Sequence, residues 1–589
     1  MNRKVILFIL CFVLGAVFFL VSCTGTTAPT EDTSPEPTLP PSQTTAPPSE
    51  LPLPEPEVVD IYNHEQDMTL FGEDSNNLNS QAADMLGASL AVGDYNGDGI
   101  KDILTGASGA DGPNNSRDHA GEAYVVFGKS DLPSQIDVAG IEGPQPDIRI
   151  YGEELGIASS LYIAGDSMGE VITMGNLDGD PYDDLIVASS LADGEGNLLP
   201  DSGAVYIIFG RSQEEWDLLR PSPEEPVIFD AAGEAGPAPD VVIHGADEED
   251  LLGCGLATGD VDGDGTDDLF VGACYADGEG NDTSNAGESY VFFGRPAEDW
   301  KMMSPVDLSA SPELADVTIY GADVDDKFSS ALASGEDLNG DGVSDLAIGA
   351  YQGDGEENGK PDAGEVTLFF GRDREAWRAI SPVDLSTQSA DVTIYGVDSG
   401  DTFSSLLGLG MGDANGDSFG DLLIGAPGAG GVGNLKAAAG EAYIILGRQI
   451  WITPMDLSAA PADATIYGAD AGDNLGSSVS CGDVDDDGSA DVLLGATGGA
   501  GPGNTRNQYT GEAYVIYGRT ISTGSDIDLS DPDAAGITIY GAESYDFLGA
   551  AISCGDVNGD HAIDIVVGAN YAFGPNNTRP EAGEVYVIY

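Results

Sequence analysis

The chain has 589 residues, with 102 Asp plus Glu against 20 Lys plus Arg and a formal net charge of −82. That balance excludes nucleic acid as a partner, because gripping phosphates needs a basic stripe that so few cations cannot form. Four histidines, His64, His119, His244 and His561, are scattered and build no cluster for zinc or nucleophilic catalysis, so the chain is read as no enzyme.

In chain order, Arg3 and Lys4 precede an apolar or small run from Val5 to Leu20, and residues 1–22 read as an export signal. Leu20-Val21-Ser22-Cys23 resembles the lipobox of bacterial lipoproteins, in which the chain is cut before the cysteine and that cysteine, here Cys23, receives lipid. A plain secretory signal and an uncleaved anchor are the alternatives. Either way the remainder is exported, and the lipid reading places it at the bacterial cell surface or envelope, with the membrane met through the anchor alone. Residues 23–57 hold Cys23 and a Pro-, Thr- and Ser-rich stretch without apolar periodicity, which makes an extended tether.

From residue 58 to 589 one acidic nonapeptide organises the chain, starting at Asp94, Asn176, Asp260, Asp337, Asp413, Asp483 and Asp556, at steps of 82, 84, 77, 76, 70 and 73 residues. Position 3 is Asn96, Asp178, Asp262, Asn339, Asn415, Asp485 or Asn558, and position 5 is Asp98, Asp180, Asp264, Asp341, Asp417, Asp487 or Asp560. Position 9 is Asp102, Asp184, Asp268, Asp345, Asp421, Asp491 or Asp564. Calcium takes six to eight oxygens at about 2.3–2.6 Å, and this spacing wraps side-chain oxygens from 1, 3, 5 and 9 round one ion. A backbone carbonyl at position 7 completes the set, from Ile100, Tyr182, Thr266, Val343, Phe419, Ser489 or Ala562. Up to seven calcium ions are expected. The second loop is the weakest, because it starts with Asn176 and has Pro181 at position 6, where a fixed negative φ spoils the turn.

Around each loop lie four strand-like pieces. A small apolar run such as 88–93 precedes the loop and an Asp-Leu-x-Ile-Gly-Ala run such as 421–426 follows it, which together make a β-hairpin. A Gly-rich connection leads to a third strand such as 121–128, and a fourth follows, as in 316–321. Four antiparallel strands at this period describe a propeller blade. The first fourth-type strand, 68–72, precedes the first loop, and the chain stops at the third strand, 584–589, so the two termini complete one blade between them. The expected fold is all-β: a monomeric seven-bladed propeller of four-stranded antiparallel blades, with no exposed sheet edge left by the closed ring.

Leu86-Gly87, Phe328-Ser329 and Leu548-Gly549, followed by the loop and then Gly-Ala or Gly425-Ala426-Pro427, resemble FG-GAP repeats, the units of the integrin α-subunit propeller and of bacterial surface proteins. The resemblance covers roughly residues 58–589. It implies that the calcium loops occupy a lower face, and that the 4–1 and 2–3 connections form an upper, ligand-binding face. The leading functional reading is a lipid-anchored calcium-binding module for adhesion, with a protein or glycan partner at loops such as 111–119, 193–201 and 354–362. A catalytic propeller acting on polysaccharide through carboxylates in a central depression, and a purely structural envelope protein, are the alternatives.

Cys254 and Cys274 face each other in a hairpin symmetric about Asp264, so a cross-strand disulfide is open, though a one-residue register shift forbids it. Cys481 and Cys554 read as small fillers of inner strands. The repeated glutamate of Gly-Glu-Ala-Tyr and its variants (Glu122, Glu288, Glu365, Glu441, Glu512, Glu584) reads as a hydrogen-bonding element; Ala204 replaces it once.

Overall fold

The computed structural model describes residues 54, 56–73, 83–141, 143–153, 165–194, 196–223, 225–405, 407–506 and 509–589. The expected signal, Cys23 and nearly all of the tether lie outside the described residues.

Seven sheets make up the unit Pro54–Tyr589. Their inner strands are Leu86–Gly93, Ile172–Gly175, Leu252–Gly259, Phe328–Ser334, Leu409–Gly412, Leu475–Gly482 and Leu548–Gly555, for blades one to seven. Side chains from all seven line one central channel of about 340 Å³. The second strands, such as Asp102–Ala107 and Asp491–Ala496, are buried along their whole length. Their near-continuous apolar sequence suits strands covered on both faces by neighbouring blades.

The ring closes as the terminal strands foretell. Met68–Phe71 pairs antiparallel with Glu584–Ile588 and supplies the fourth strand of blade seven. On the upper side Gly583 and Leu86 form the bridge between blades seven and one. Gly583 has φ 81°, and a Cβ there would lie 2.2 Å from the Leu86 carbonyl oxygen, so only glycine fits.

One feature differs from the expectation of four-stranded blades: every sheet carries a fifth, outermost strand. Each fifth strand is parallel to its neighbour, and six of the seven come from the connection between the third and fourth strands of the next blade. Val227–Asp230 thus joins blade one and Gln135–Asp137 joins blade seven. For blade six the strand is Glu57–Asp60, at the N-terminal end of the unit, so this end adds strands to two adjacent blades. Some of these strands, such as Val306–Asp307 and Val383–Asp384, are only two residues long, too short for any alternation to declare them.

Among the described residues three short α-helices also interrupt the β pattern, Gln213–Leu219, Ala297–Met303 and Arg374–Ile380. Each buries one tryptophan, whose indole N–H donates to a backbone carbonyl at position 2 of the preceding blade's acidic loop: Trp216 to Tyr95, Trp300 to Leu177 and Trp377 to Val261. The helices therefore anchor metal-type loops rather than form a layer of their own.

Cys254 and Cys274 are bonded, with Cα atoms 6.2 Å apart. The register that would separate them is broken by an irregularity between Leu252 and Gly255, which turns Cys254 toward its partner. Cys481 and Cys554 are free and partly buried.

Candidate functional site

The seven acidic loops all join first to second strands, on one face of the ring. In the first, Asp94 ends the inner hairpin arm and its carboxylate accepts the N–H groups of Gly97, Asp98 and Gly99 at 2.7, 3.1 and 3.0 Å. Asn96 Oδ1 accepts from Asp98 N and Asp98 Oδ1 from Ile100 N, both at 2.9 Å. Asp102 is fully buried and spans the loop, accepting from Tyr95 N at 2.9 Å and from Gly128 N at 2.8 Å. Backbone donors thus hold the oxygen-bearing side chains in the loop, and the pattern recurs with Asp268, Asp345 and Asp491.

Position 6 explains why one loop stands apart. Gly99, Gly265, Gly342, Ser418, Gly488 and His561 all adopt positive φ there, and in the first loop the Gly99 N–H bonds Asp94. Pro181 can do neither. Asn176 instead turns its amide group onto the Asp180 carbonyl, so a donor sits where the other loops present carboxylate oxygen.

The loops fit a cation on two observations. Asp260, Asp262 and Asp268 bring one carboxylate oxygen each within 4.8 Å of one another, and so do Asp483, Asp485 and Asp491. Asp485 Oδ1 is buried without a hydrogen bond, an arrangement that a hard cation satisfies. Burial, with neighbouring loop carboxylates adding, pushes the Asp268 carboxyl up to about 8 and those of Asp345, Asp421 and Asp564 up to about 7. A bound divalent ion would reverse that penalty. The same two all-aspartate loops are the ones met by a guanidinium. Arg374 contacts Asp262 and Asp264, and Arg519 lies 2.8 Å from Asp485 and 3.1 Å from Asp487.

Neighbouring loops are tied into a chain round the ring. The N–H at position 8 donates to the position-1 carbonyl of the previous blade: Asp183 to Asp94, Asp267 to Asn176, Ser344 to Asp260, Gly420 to Asp337 and Ala490 to Asp413. Lys101 N donates to Asp556 O at 2.8 Å and carries this chain across the closure between blades seven and one.

The opposite face is built by 2–3 and 4–1 connections. An asparagine of the 2–3 loop donates to an acid of the 4–1 loop in several blades: Asn281 to Asp247, Asn434 to Asp398, Asn504 to Asp470 and Asn577 to Glu543. A cation further along the same loop clamps the aspartate that ends the fifth strand. Arg117 holds Asp230 at 2.6 and 2.9 Å, Arg579 holds Asp137 at the same distances, and Lys360 holds Asp456 at 2.7 Å. The repeated glutamates stand at the start of the third strand, five of them buried and Glu365 partly so. In five of the six a tyrosine hydroxyl two residues on donates to the glutamate, at 2.7 Å for Tyr124 to Glu122 and 2.6 Å for Tyr443 to Glu441, as a hydrogen-bonding role requires; Thr367 takes the tyrosine's place after Glu365.

The sequence reading missed the cation clamp. Its trace is visible, in the aspartates of Ile136-Asp137-Val138, Met455-Asp456-Leu457 and Ile527-Asp528-Leu529, and in a basic residue four or five positions before the glycine that opens the third strand. Its meaning depends on pairing between blades. Among the described residues, the central channel is lined by small, apolar and hydroxyl side chains and Cys481.

These features define a seven-bladed β-propeller assembled from acidic-loop repeats. The chain carries FG-GAP repeats: residues 86–126, 255–292 and 328–369 match the FG-GAP repeat model, and they are the first three strands of blades one, three and four. Integrin alpha-PS2 of Drosophila melanogaster is 27% identical over 276 residues, 46% of this chain and 15% of that protein. Integrin alpha-IIb of Mus musculus is 29% identical over 197 residues, 33% of this chain and 17% of that one. Phosphatidylinositol-glycan-specific phospholipase D of Bos taurus is 32% identical over 163 residues, 28% of this chain and 18% of that protein. The chain therefore spans less than a fifth of the length of these relatives.

The last match corrects one expectation. Scattered histidines suggest that the chain is no enzyme, yet 28% of it is similar to phosphatidylinositol-glycan-specific phospholipase D of several organisms. Carboxylates, which this chain has in abundance, leave no histidine signature, so histidine scatter is not a ground for excluding catalysis.

Proposed function

We propose that this propeller is an exported, calcium-stabilised binding module whose upper face engages a protein or glycan, and that it serves adhesion at the cell surface. One observation carries the reading. On the acidic-loop face six of the seven neighbouring loop pairs are joined by a backbone hydrogen bond, whereas the opposite face holds open clefts between divergent loops, including one of about 580 Å³ in blade seven and one of about 490 Å³ in blade four. Calcium in the loops would be held by the side chains at positions 1, 3, 5 and 9 and would fix the inner hairpin of each blade. The similarity to integrin alpha chains supports an exported setting.

Anchoring would be through lipid on Cys23, as the stretch 20–23 suggests. The tether of residues 23–57 would then hold the propeller off the membrane. Mass spectrometry of the N-terminal peptide tests the anchor: a diacylglyceryl cysteine supports it, and an unmodified Cys23 in membrane-extracted protein refutes it.

For the binding face, the experiment is replacement of the 354–362 loop by a Gly-Ser linker, with binding scored on cells and on protein and glycan arrays. Loss of binding with calcium uptake intact is the expected result. Unchanged binding, or loss only on mutation of lower-face loops, refutes the assignment of faces.

A further inference from the structure

The hydrogen bonds between neighbouring acidic loops run through a single peptide group in each blade. That group carries the position-7 carbonyl, which a loop would present to its own cation, and the position-8 N–H, which donates to the position-1 carbonyl of the previous loop at 2.8–3.2 Å. Position 1 in turn supplies the side chain that opens the previous loop's ligand set. Fixing this peptide for one loop therefore fixes the first residue of its neighbour, and hydrogen-bonded groups in series polarise one another.

A second contact marks the same junctions. The side chain at position 7 packs on the position-4 glycine of the previous loop: Tyr182 on Gly97, Phe419 on Gly340 and Ile100 on Gly559, and Thr266, Val343 and Ser489 pack likewise. A Cβ on any of these six glycines would lie within 3.3 Å of that side chain. Six junctions have both contacts. Among the described residues the seventh, between blades six and seven, lacks both: no backbone bond joins Ile563 to Asp483, Asp486 stands in place of the glycine, and position 7 is the short Ala562. Gly511 and Leu548 still bridge these two blades on the opposite face, so the gap is confined to the acidic loops.

We propose that calcium uptake is positively cooperative between neighbouring loops, and that the loops divide into two coupled runs, the third to the sixth and the seventh with the first. The proposal rests on the reading that the loops bind calcium. The open junction ends one run at the Asp483 loop and begins the other at the Asp556 loop. On the other side the runs are parted by the Asn176 loop, where Pro181 and the amide group turned onto Asp180 leave no site. A loop that is ordered by no ion has no binding energy to pass on. Within a run, a loop whose peptide is already fixed by a filled neighbour loses less freedom when it fills, so the later ions bind more tightly than the first.

The test is titration of the chelated, full-length protein in detergent with calcium, against a competing chromophoric chelator. An isotherm steeper than hyperbolic is expected, with the ions of the long run and those of the pair taken up as two sets. Asp417→Asn, in the fifth loop, should weaken the remaining sites of its own run by about fivefold or more and leave the pair unchanged. Asp560→Asn, in the seventh loop, should weaken the first loop alone. A hyperbolic wild-type isotherm, or variants that each lose one ion and leave the rest at their original affinity, overturns the proposal while the calcium reading stands. Asp560→Asn weakening the long run as well overturns the division into two. Absence of saturable uptake overturns the calcium reading and this inference together. The wild-type isotherm keeps the test decisive if a variant fails to fold.

Discussion

A terminal nitrogen of Arg506 lies 2.6 and 2.7 Å from the two carboxylate oxygens of Asp60, joining residues 446 positions apart. Asp60 ends the strand that the N-terminal part of the propeller lays along blade six, and Arg506 rises from that blade's own 2–3 loop. Arg579 makes the equivalent grip on Asp137 in blade seven. Ring closure is therefore fastened by side chains as well as by strand pairing.

Arg506→Gln should lower stability by about 2 kcal/mol, the usual scale for a charge-assisted hydrogen-bonded pair. Arg579→Gln should cost more, about 3–5 kcal/mol, because both partners are almost wholly buried and Asp137 would be left as an uncompensated charge. Urea unfolding of both variants checks the order; equal or negligible losses would show that the strands alone close the ring.

The buried glutamates set a pH dependence. Burial, the largest cause, raises the carboxyls of Glu122, Glu365, Glu441, Glu512 and Glu584 from 4.5 to about 7, and that of Glu288 to about 8. The folded state holds these protons more tightly than the unfolded chain, so their stabilising contribution is complete below pH 4.5 and is lost as pH rises through 7. The Tm of calcium-saturated protein should therefore fall between pH 5 and 8. Glu512→Gln, whose amide oxygen can still accept from Tyr514, should flatten the slope, and a Tm that climbs over this range would contradict the assignment.

Arginine at the third loop has a consequence for calcium. A single positive charge roughly 6 Å from a divalent ion costs about 1.4 kcal/mol even at the dielectric of water, close to a factor of ten in affinity. Arg374→Gln should therefore tighten the third site by about tenfold, which a competitive chelator titration measures. Weaker binding in the variant would mean that the guanidinium orients Asp262 for the ion instead of opposing it.

How much of this was legible in sequence depends on whether the cause was local. The loops from Asp94 to Asp564 declare themselves because their oxygens, glycines and hairpin arms are adjacent in the chain. Closure by Met68–Phe71 was readable because the termini carry complementary parts of one repeat. The fifth strands were not, since Val306–Asp307 has two residues and gains its identity only from the strand it meets. Arg149 was silent for the same reason: a lone arginine in a β-branched strand gives no hint that its guanidinium lies among Glu73, Glu122, Tyr124 and Tyr151. The bond between Cys254 and Cys274 turned on a local irregularity near Gly255, which a regular hairpin register does not contain.

The central claim is that the acidic loops are calcium staples for the blades. Titration of the chelated, full-length protein with calcium at low ionic strength, read by calorimetry and by melting on the same samples, tests it most directly. The account predicts uptake by six of the seven loops, with the Asn176 loop empty, and a rise in Tm that follows occupancy at about 2.7 kcal/mol per site at a hundredfold excess over Kd. An unchanged Tm, or heat that fits no saturable sites, would contradict it.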